Sequence, residues 1–173
     1  AGVPGSRSDI PMSDKKTIVI TGASSGIGAQ LTRLFAQDGH QLLVCARNGG
    51  GLAEATKGLP TASYMECDVS SEKDVVRFFD WVKKSSPSVD VLIPCAAVMG
   101  PVGSVVDIDA NEWLDALKID LFGTMLAIKY AVPLMNVLLM RGMSFFPRYC
   151  AYTAGRKELL KLASCTLPVN VGV

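Results

Sequence analysis

Apolar and polar positions alternate along this chain in blocks that predict strands and helices in turn. The run Ile18–Ile20 is uninterrupted and apolar, which is typical of a strand buried on both faces. A helix is predicted next, because four apolar residues recur at helical spacing before Gly39 supplies a stop: Ile27, Leu31, Leu34 and Phe35. Gln41–Cys45 has the pattern of the following strand. Together these elements predict a β-α-β unit that begins at Thr17.

The same alternation continues through the middle of the chain. Tyr64–Val69 predicts a third strand and Asp90–Pro94 a fourth. Between them, Ser71–Asp74 resembles a capping box at the start of a helix. The core-facing residues predicted for that helix are Val75, Phe78, Phe79 and Val82. Strands that alternate with helices predict an α/β fold, with a doubly wound parallel sheet and helices on both faces.

A longer helix is predicted over residues 109–132. Asp109–Glu112 offers an N-terminal cap, and the apolar residues that follow at helical spacing are Trp113, Leu117, Leu121, Met125 and Ile128. The stretch Phe122–Met140 is apolar enough to raise the question of a membrane span. Lys129 interrupts it, so a buried helix that runs into a fifth strand at Val137–Met140 is the better interpretation.

The turn after the first strand is rich in glycine. Gly22 can adopt a tight turn, Gly26 lets the backbone approach a bound phosphate, and Gly28 lets the helix pack close to the strand. The free N–H groups and the positive end of the helix attract an anion without any charged side chain. The turn therefore predicts a phosphate-binding β-α-β unit, and the alternative is a plain β-α-β turn with no ligand.

Composition narrows the classes of partner. The chain has 173 residues and is 49% hydrophobic, enough for one sizeable core. A formal charge of +1 without a basic cluster argues against nucleic acid or an anionic membrane as partner. Residues 1–16 lack periodicity and are predicted to be a flexible tail, whereas residues 17–173 are predicted to form a single domain. The expected partner is a small molecule or a second copy of the chain.

Cysteine and histidine usage bears on compartment and metal binding. Five cysteines are scattered along the chain without a C-x-x-C pair: Cys45, Cys67, Cys95, Cys150 and Cys165. We interpret them as reduced core thiols of a cytoplasmic protein. His40 is the only histidine, so the chain can build neither a histidine-based triad nor a histidine-containing metal site. No metal site is predicted.

The segment Thr21–Gly28 resembles the cofactor fingerprint of the short-chain dehydrogenase/reductase family, and the similarity continues to about Leu162. Members of that family use a Rossmann-type sheet and NAD(H) or NADP(H) to interconvert alcohols and carbonyl compounds. The resemblance implies that residues 17–173 form an NAD(P)-binding Rossmann-type domain. It also implies cofactor contacts by the residues of the turn: Gly22, Ser24, Ser25, Gly26, Ile27 and Gly28.

Further positions bear on which cofactor binds. Arg47 follows the second strand, where an acidic residue would accept the ribose hydroxyls, so NADP(H) is favoured and NAD(H) remains possible. An ordinary solvated arginine is the alternative.

The pair Asp68 and Val69 resembles the adenine contact of the family, although Asp68 could equally cap the next helix. In the family an Asn-Asn-Ala-Gly turn forms the floor under the cofactor. Here Pro94–Ala97 replaces that turn, and Ala96 still permits close approach.

The catalytic set of the family is only partly present. Tyr149–Lys157 resembles the tyrosine/lysine segment, in which Tyr152 is in register for proton transfer. Arg156 takes the position of the lysine, while Lys157 lies about 100° away on ideal helical geometry. Asp120 stands where the family has asparagine, and we expect a buried carboxylate that holds a proton-relay water. The family serine is replaced, and Ser144 can substitute for it only if its loop returns to the pocket.

Three functional hypotheses follow. The first is an NADP(H)-dependent oxidoreductase that interconverts a small carbonyl compound and an alcohol, with Tyr152 handling the proton. The second is a catalytically silent nucleotide-binding or oligomerising module. The third arises because the chain after Leu162 is short for the family, so it is either an abbreviated relative or part of a longer reductase. The resemblance also implies a homo-oligomer formed through the 109–132 helix.

Overall fold

The structure, a computed structural model, describes residues 15–135 and contains one parallel sheet in that range. Its strands are β1 (Thr17–Thr21), β2 (Gln41–Ala46), β3 (Ala62–Glu66) and β4 (Val91–Pro94). Their order in space is β3-β2-β1-β4, and every pairing is parallel. The order reverses between β1 and β4, and crevices at such points are where open α/β sheets bind ligands. The predicted doubly wound, Rossmann-type sheet is confirmed.

Helices flank the strands in the predicted alternation. They are α1 (Gly26–Gln37), α2 (Gly49–Thr56), α3 (Glu72–Ser85), α4 (Ala110–Leu117) and α5 (Thr124–Ala131). A π-helical segment, Lys118–Gly123, joins α4 to α5, and a 3-10 turn over Val132–Leu134 follows. The predicted long helix over residues 109–132 is therefore present, with a wider turn in its middle. Helix α2 has no counterpart among the predicted elements.

The core lies on both faces of the sheet, as the apolar runs predict. All of β1 is buried, and β2 is buried except for Gln41. On one face, Val19 and Leu43 pack with α3 and α5. The predicted stripe of α3 is confirmed as buried: Val75, Phe78, Phe79 and Val82. On the other face, Ile20 and Val44 pack with α1 and α2.

Helix α1 differs from its apolar pattern in the residues it buries. The buried positions are the small ones, Gly28, Ala29 and Thr32, because the helix lies close to the sheet. Leu31 and Phe35 are partly buried and pack against the cluster that includes Ile20. Ile27, in contrast, is 73% exposed and Leu34 is 43% exposed. Close approach to the strands thus selects small side chains over the periodic large ones.

Local capping sets the helix starts. Ser71 begins α3, and its hydroxyl accepts the N–H of Asp74 at 3.4 Å, as the predicted capping box requires. Asp109 begins α4 and accepts the N–H groups of Asn111 and Glu112 at 2.7 and 3.3 Å. The predicted cap at Asp109 is confirmed, and so is the first half of the capping box at Ser71. The N–H of Ser71 donates to the carbonyl of Asp68 at 3.1 Å, and the carboxylate of Asp74 accepts the N–H of Asp68 at 3.5 Å.

The predicted bounds of the third strand are wrong. β3 covers Ala62–Glu66 instead of residues 64–69, because its partner β2 ends at Ala46. The N–H of Cys67 still donates to the carbonyl of Ala46 at 3.0 Å, and the chain then turns. In that turn the carboxylate of Asp68 accepts both the N–H and the hydroxyl of Ser70, at 2.9 and 2.7 Å.

Candidate functional site

A cleft of about 360 Å³ opens at the carboxyl ends of the strands. Each of the four strands contributes a wall residue at or just after its end, such as Gly22, Ala46, Cys67 and Cys95. All six residues predicted in the glycine turn line this cleft, and so do Arg47, Val69 and Ala96. The structure therefore gathers nine of the ten residues predicted for cofactor binding around one space, and Asp68 is not among its lining residues.

Gly22 allows two strand ends to meet at the base of the cleft. Its φ of 70° belongs to the left-handed region. A Cβ at this position would lie 2.6 Å from both the Cα and the N atom of Ala96, so any side chain would displace the end of β4. The expected tight turn is present, and close approach to Ala96 is a second reason for glycine here.

Gly26 and Gly28 have different surroundings. A Cβ on Gly28 would overlap the carbonyl oxygen of Gly22, so α1 begins in direct contact with the turn. Gly26 has a φ of 53°, and a Cβ built on it meets nothing within 4 Å. The structure thus leaves open space beside Gly26, which a bound group can fill.

The start of α1 leaves backbone donors free for a ligand. Ser25 is its N-cap residue, yet the Ser25 side chain accepts no hydrogen bond from the first turn, and that turn carries no acidic residue. The starts of α2, α3 and α4 are each capped by a side chain, namely those of Asn48, Ser71 and Asp109. An uncapped N-terminus presents N–H groups and a partial positive charge, which suits a phosphate.

Charge in the cleft is positive. Among the described residues that line it, only Arg47 is charged, and its side chain is exposed. A planar guanidinium suits a phosphate, to which it can donate two parallel hydrogen bonds. The arrangement can therefore hold an anion at the glycine turn and a second one near Arg47.

The carboxylate of Asp120 is tied to the loop that follows β4. Its Oδ1 accepts the N–H of Val98 at 2.9 Å, and its backbone carbonyl accepts the hydroxyl of Thr124 at 2.7 Å. The expectation that Asp120 is buried is wrong, because its side chain is exposed. Within residues 15–135, helix α4 has no buried residue and the π segment buries only Gly123, so this part of the helix covers no core of the described chain.

Six residues that line the cleft were not predicted to contact the cofactor: Ala46, Asn48, Cys67, Cys95, Ala97 and Ile119. Asn48 follows Arg47 and caps α2. A predicted helix beginning at Gly49 would have identified Asn48 as its N-cap. Ile119 comes from the π segment and reaches the cleft only through the tertiary fold. The backbone at Gly123 packs closely against Val69 and supports the wall formed by Ile119, since a Cβ on Gly123 would lie 2.7 Å from Cγ2 of Val69.

The thiols near the cleft differ in accessibility. Cys45 and Cys67 are buried, Cys95 is partly exposed, and none of the three forms a disulfide. The pKa of the Cys45 thiol is raised well above its ordinary value by a hydrogen bond with Cys67 and by burial. The Cys45 thiol therefore stays protonated in the core, while Cys95 contributes to the cleft wall.

Several predicted features lie outside the described residues. They are the fifth strand, residues 1–14 of the predicted tail and the remaining catalytic candidates Ser144, Tyr152, Arg156 and Lys157. Within residues 15–135, no helix is long and apolar enough to cross a membrane. The same range holds no group of three or more histidine, cysteine or acidic side chains arranged for a metal ion.

Comparison with known proteins identifies one family. The family model for short chain dehydrogenases matches residues 16–162. Short-chain dehydrogenase reductase 3b of Arabidopsis thaliana is 34% identical over 124 residues, which cover 70% of this chain and 48% of the relative. Zerumbone synthase of Zingiber zerumbet is 31% identical over 124 residues, which cover 69% of this chain and 46% of that protein.

Two solved structures are also similar to this chain. An F189W actinorhodin polyketide ketoreductase with NADPH has a TM-score of 0.65 and 30% identity, covering 68% of this chain and 46% of its own. The aldohexose dehydrogenase of Thermoplasma acidophilum has a TM-score of 0.61 and 27% identity, covering 70% of this chain and 44% of that chain. This chain spans about half the length of the curated relatives it matches.

Proposed function

This chain belongs to the short-chain dehydrogenase family, and from that membership we propose that it binds NADP(H) in the cleft and interconverts a small carbonyl compound and an alcohol. The uncapped start of α1 carries the proposal. Its first turn lines the cleft beside the open space at Gly26, where a pyrophosphate satisfies the free N–H groups. The relative solved with NADPH lends support to the cofactor class.

We assign parts of the nucleotide to residues of this chain. The turn Gly22–Gly28 holds the pyrophosphate, and Val69 and Ala96 line the walls beside the remaining parts. Arg47 holds the 2′-phosphate, which favours NADP(H) over NAD(H). The family resemblance assigns Asp68 to the adenine, although its carboxylate also accepts two hydrogen bonds from Ser70.

The proposed chemistry is a hydride transfer coupled to a proton transfer. The nicotinamide, when bound, gives or accepts the hydride. Tyr152 exchanges the proton with the substrate oxygen, and Arg156 or Lys157 supplies the positive charge that stabilises a tyrosinate. Ser144 donates to the substrate oxygen, and Asp120 accepts from a relay water. These roles rest on the family resemblance.

A second copy of the chain is the proposed partner at the long helix. Helix α4 buries none of its residues in the described part of the chain, and two of its large apolar side chains are exposed, Trp113 at 54% and Leu114 at 50%. Leu121 is 62% exposed and Met125 is 44% exposed in the segments that follow. Large apolar side chains grouped on one surface typically mark an interaction site.

Titration of the 173-residue chain with NADPH and NADH tests the proposal. Saturable binding must raise stability, by about 2.7 kcal/mol at a ligand concentration of about 100 times Kd. Turnover then separates the enzyme from the silent module: an NADPH-dependent rate that Tyr152→Phe abolishes supports the enzyme. Nucleotide binding without turnover on a panel of carbonyl compounds supports the module, and no binding of either nucleotide overturns the proposal.

A further inference from the structure

The carboxylate of Glu66 lies against the first residue of α2, next to the end of β2. In the β2-β3 ladder Glu66 is the partner of Ala46, the residue before Arg47. A Cβ built on Gly49 would overlap Oε1 of Glu66 and would lie 2.7 Å from its Cδ. The missing side chain of Gly49 therefore makes the space that the Glu66 carboxylate occupies.

This carboxylate is a local source of negative charge beside Gly49, the residue that follows Arg47 and Asn48 of the cleft wall. Glu66 is exposed, and among residues 15–135 neither it nor Arg47 has an ion-pair partner within 4.0 Å. The first turn of α2 has no acidic residue of its own, so Glu66 brings the negative charge from the neighbouring strand. Its position favours interaction with the positive end of α2.

The backbone beneath Glu66 is held from α3. Arg77 donates from Nη2 to the carbonyl oxygen of Glu66 at 3.3 Å, and the same nitrogen lies 3.4 Å from Oδ1 of Asp74. Glu66 is thus fixed on β3 by its ladder partner and by α3, while its carboxylate reaches towards Gly49.

We infer that Glu66 is a specificity-determining residue that opposes Arg47 and weakens discrimination in favour of NADP(H). The inference rests on the proposed nucleotide function. A 2′-phosphate bound at Arg47 carries a charge of about −1.5 to −2 at pH 7 and is repelled by the carboxylate of Glu66. A neutral 2′-hydroxyl escapes that repulsion and can donate a hydrogen bond to a carboxylate. Arg47 therefore favours NADP(H), whereas Glu66 favours NAD(H).

Binding of NADPH and NADH to the 173-residue chain tests the inference, with Glu66→Gln as the variant. Loss of the charge should tighten NADPH binding roughly fivefold and change NADH binding by less than about twofold. The gain should shrink at high ionic strength, because salt screens exposed charges. Asp80→Asn is the matched control, since it removes an exposed carboxylate from α3, on the opposite face of the sheet.

A second variant displaces the same carboxylate without substituting Glu66. Gly49→Ala places a methyl group where Glu66 now lies, so the carboxylate must move and the ratio of the Kd values for NADPH and NADH should change. Circular dichroism confirms that each variant is folded. If both nucleotides bind and neither variant changes the ratio of their Kd values, the inference is wrong and the proposed function stands. If the unmodified chain binds neither nucleotide, the proposed function fails and the inference fails with it.

Discussion

Ala96 donates its backbone N–H to the hydroxyl of Thr21 at 3.3 Å, joining the end of β4 to the end of β1 at the base of the cleft. The N–H of the neighbouring Cys95 donates to the carbonyl of Thr21 at 3.2 Å. Pro94 and Cys95 stand where the family resemblance implies two asparagines, and Thr21 supplies a tie between the strands there. One of these two ties at the base of the cleft therefore depends on the buried hydroxyl of Thr21.

Removing that hydroxyl should destabilise the protein. Thr21→Val leaves the N–H of Ala96 without its acceptor, at a cost of about 1–3 kcal/mol in the free energy of unfolding. Urea denaturation measures the loss, and nucleotide titration should show weaker binding. Thr21→Ser retains the hydroxyl and is the control. If Thr21→Val were as stable as the unmodified chain, the hydrogen bond to Ala96 would contribute nothing to stability.

Gly26→Ala should weaken nucleotide binding beyond its effect on stability. Gly58 provides a matched control, because it also has a positive φ, of 73°, and a Cβ on it also meets nothing within 4 Å. Both substitutions force alanine into the left-handed region, at a cost of about 1 kcal/mol each. Only Gly26 lines the cleft, so calorimetric titration should show a higher Kd for Gly26→Ala alone. Similar Kd values for the two variants would contradict the assignment of the turn.

The contact between Asp120 and Val98 should stabilise the loop after β4. Asp120→Ala removes the acceptor of the Val98 N–H and should lower the melting temperature by a few degrees. Asp120→Asn keeps a carbonyl oxygen at that position and should melt close to the unmodified chain. Calorimetric melting of the two variants checks this pair of outcomes. An equal drop in both would mean that the charge of Asp120, rather than the hydrogen bond, holds the loop.

Ionisation of Cys45 should make stability fall at alkaline pH. The hydrogen bond with Cys67 and burial raise the pKa of this thiol in the folded state above its ordinary value of 9.0. The unfolded chain therefore releases its proton at lower pH than the folded chain does, so the stabilising contribution is complete below pH 9.0 and is lost as pH rises above it.

Comparison with Cys45→Ala isolates this contribution from the other groups that ionise at alkaline pH. Urea denaturation of both proteins from pH 7 to pH 10 should show a steeper loss of stability for the unmodified chain. Parallel curves over that range would exclude Cys45 as the source.

Local signals determined the parts of this protein that could be predicted. The buried strand at Ile18–Ile20 and the cap at Asp109 depend on periodicity and on hydrogen bonds within a few residues, so both were predicted correctly. The glycine turn was predicted for the same reason, because φ angles and close packing select glycine at Gly22 and Gly28. The burial stripe of α3 follows directly from helical spacing.

Tertiary structure decided which distant residues meet. Ile119 reaches the cleft, Glu66 lies against Gly49, and Ala96 contacts Gly22 only because the strand order β3-β2-β1-β4 brings these segments together. In the same sheet, β3 ends at Glu66 because its partner β2 ends there. The sequence by itself determined the strands, most of the helices and the glycine turn, because their causes are local. The tertiary structure decided the walls and charges of the cleft, because parallel strands are joined by long crossovers that no local pattern positions.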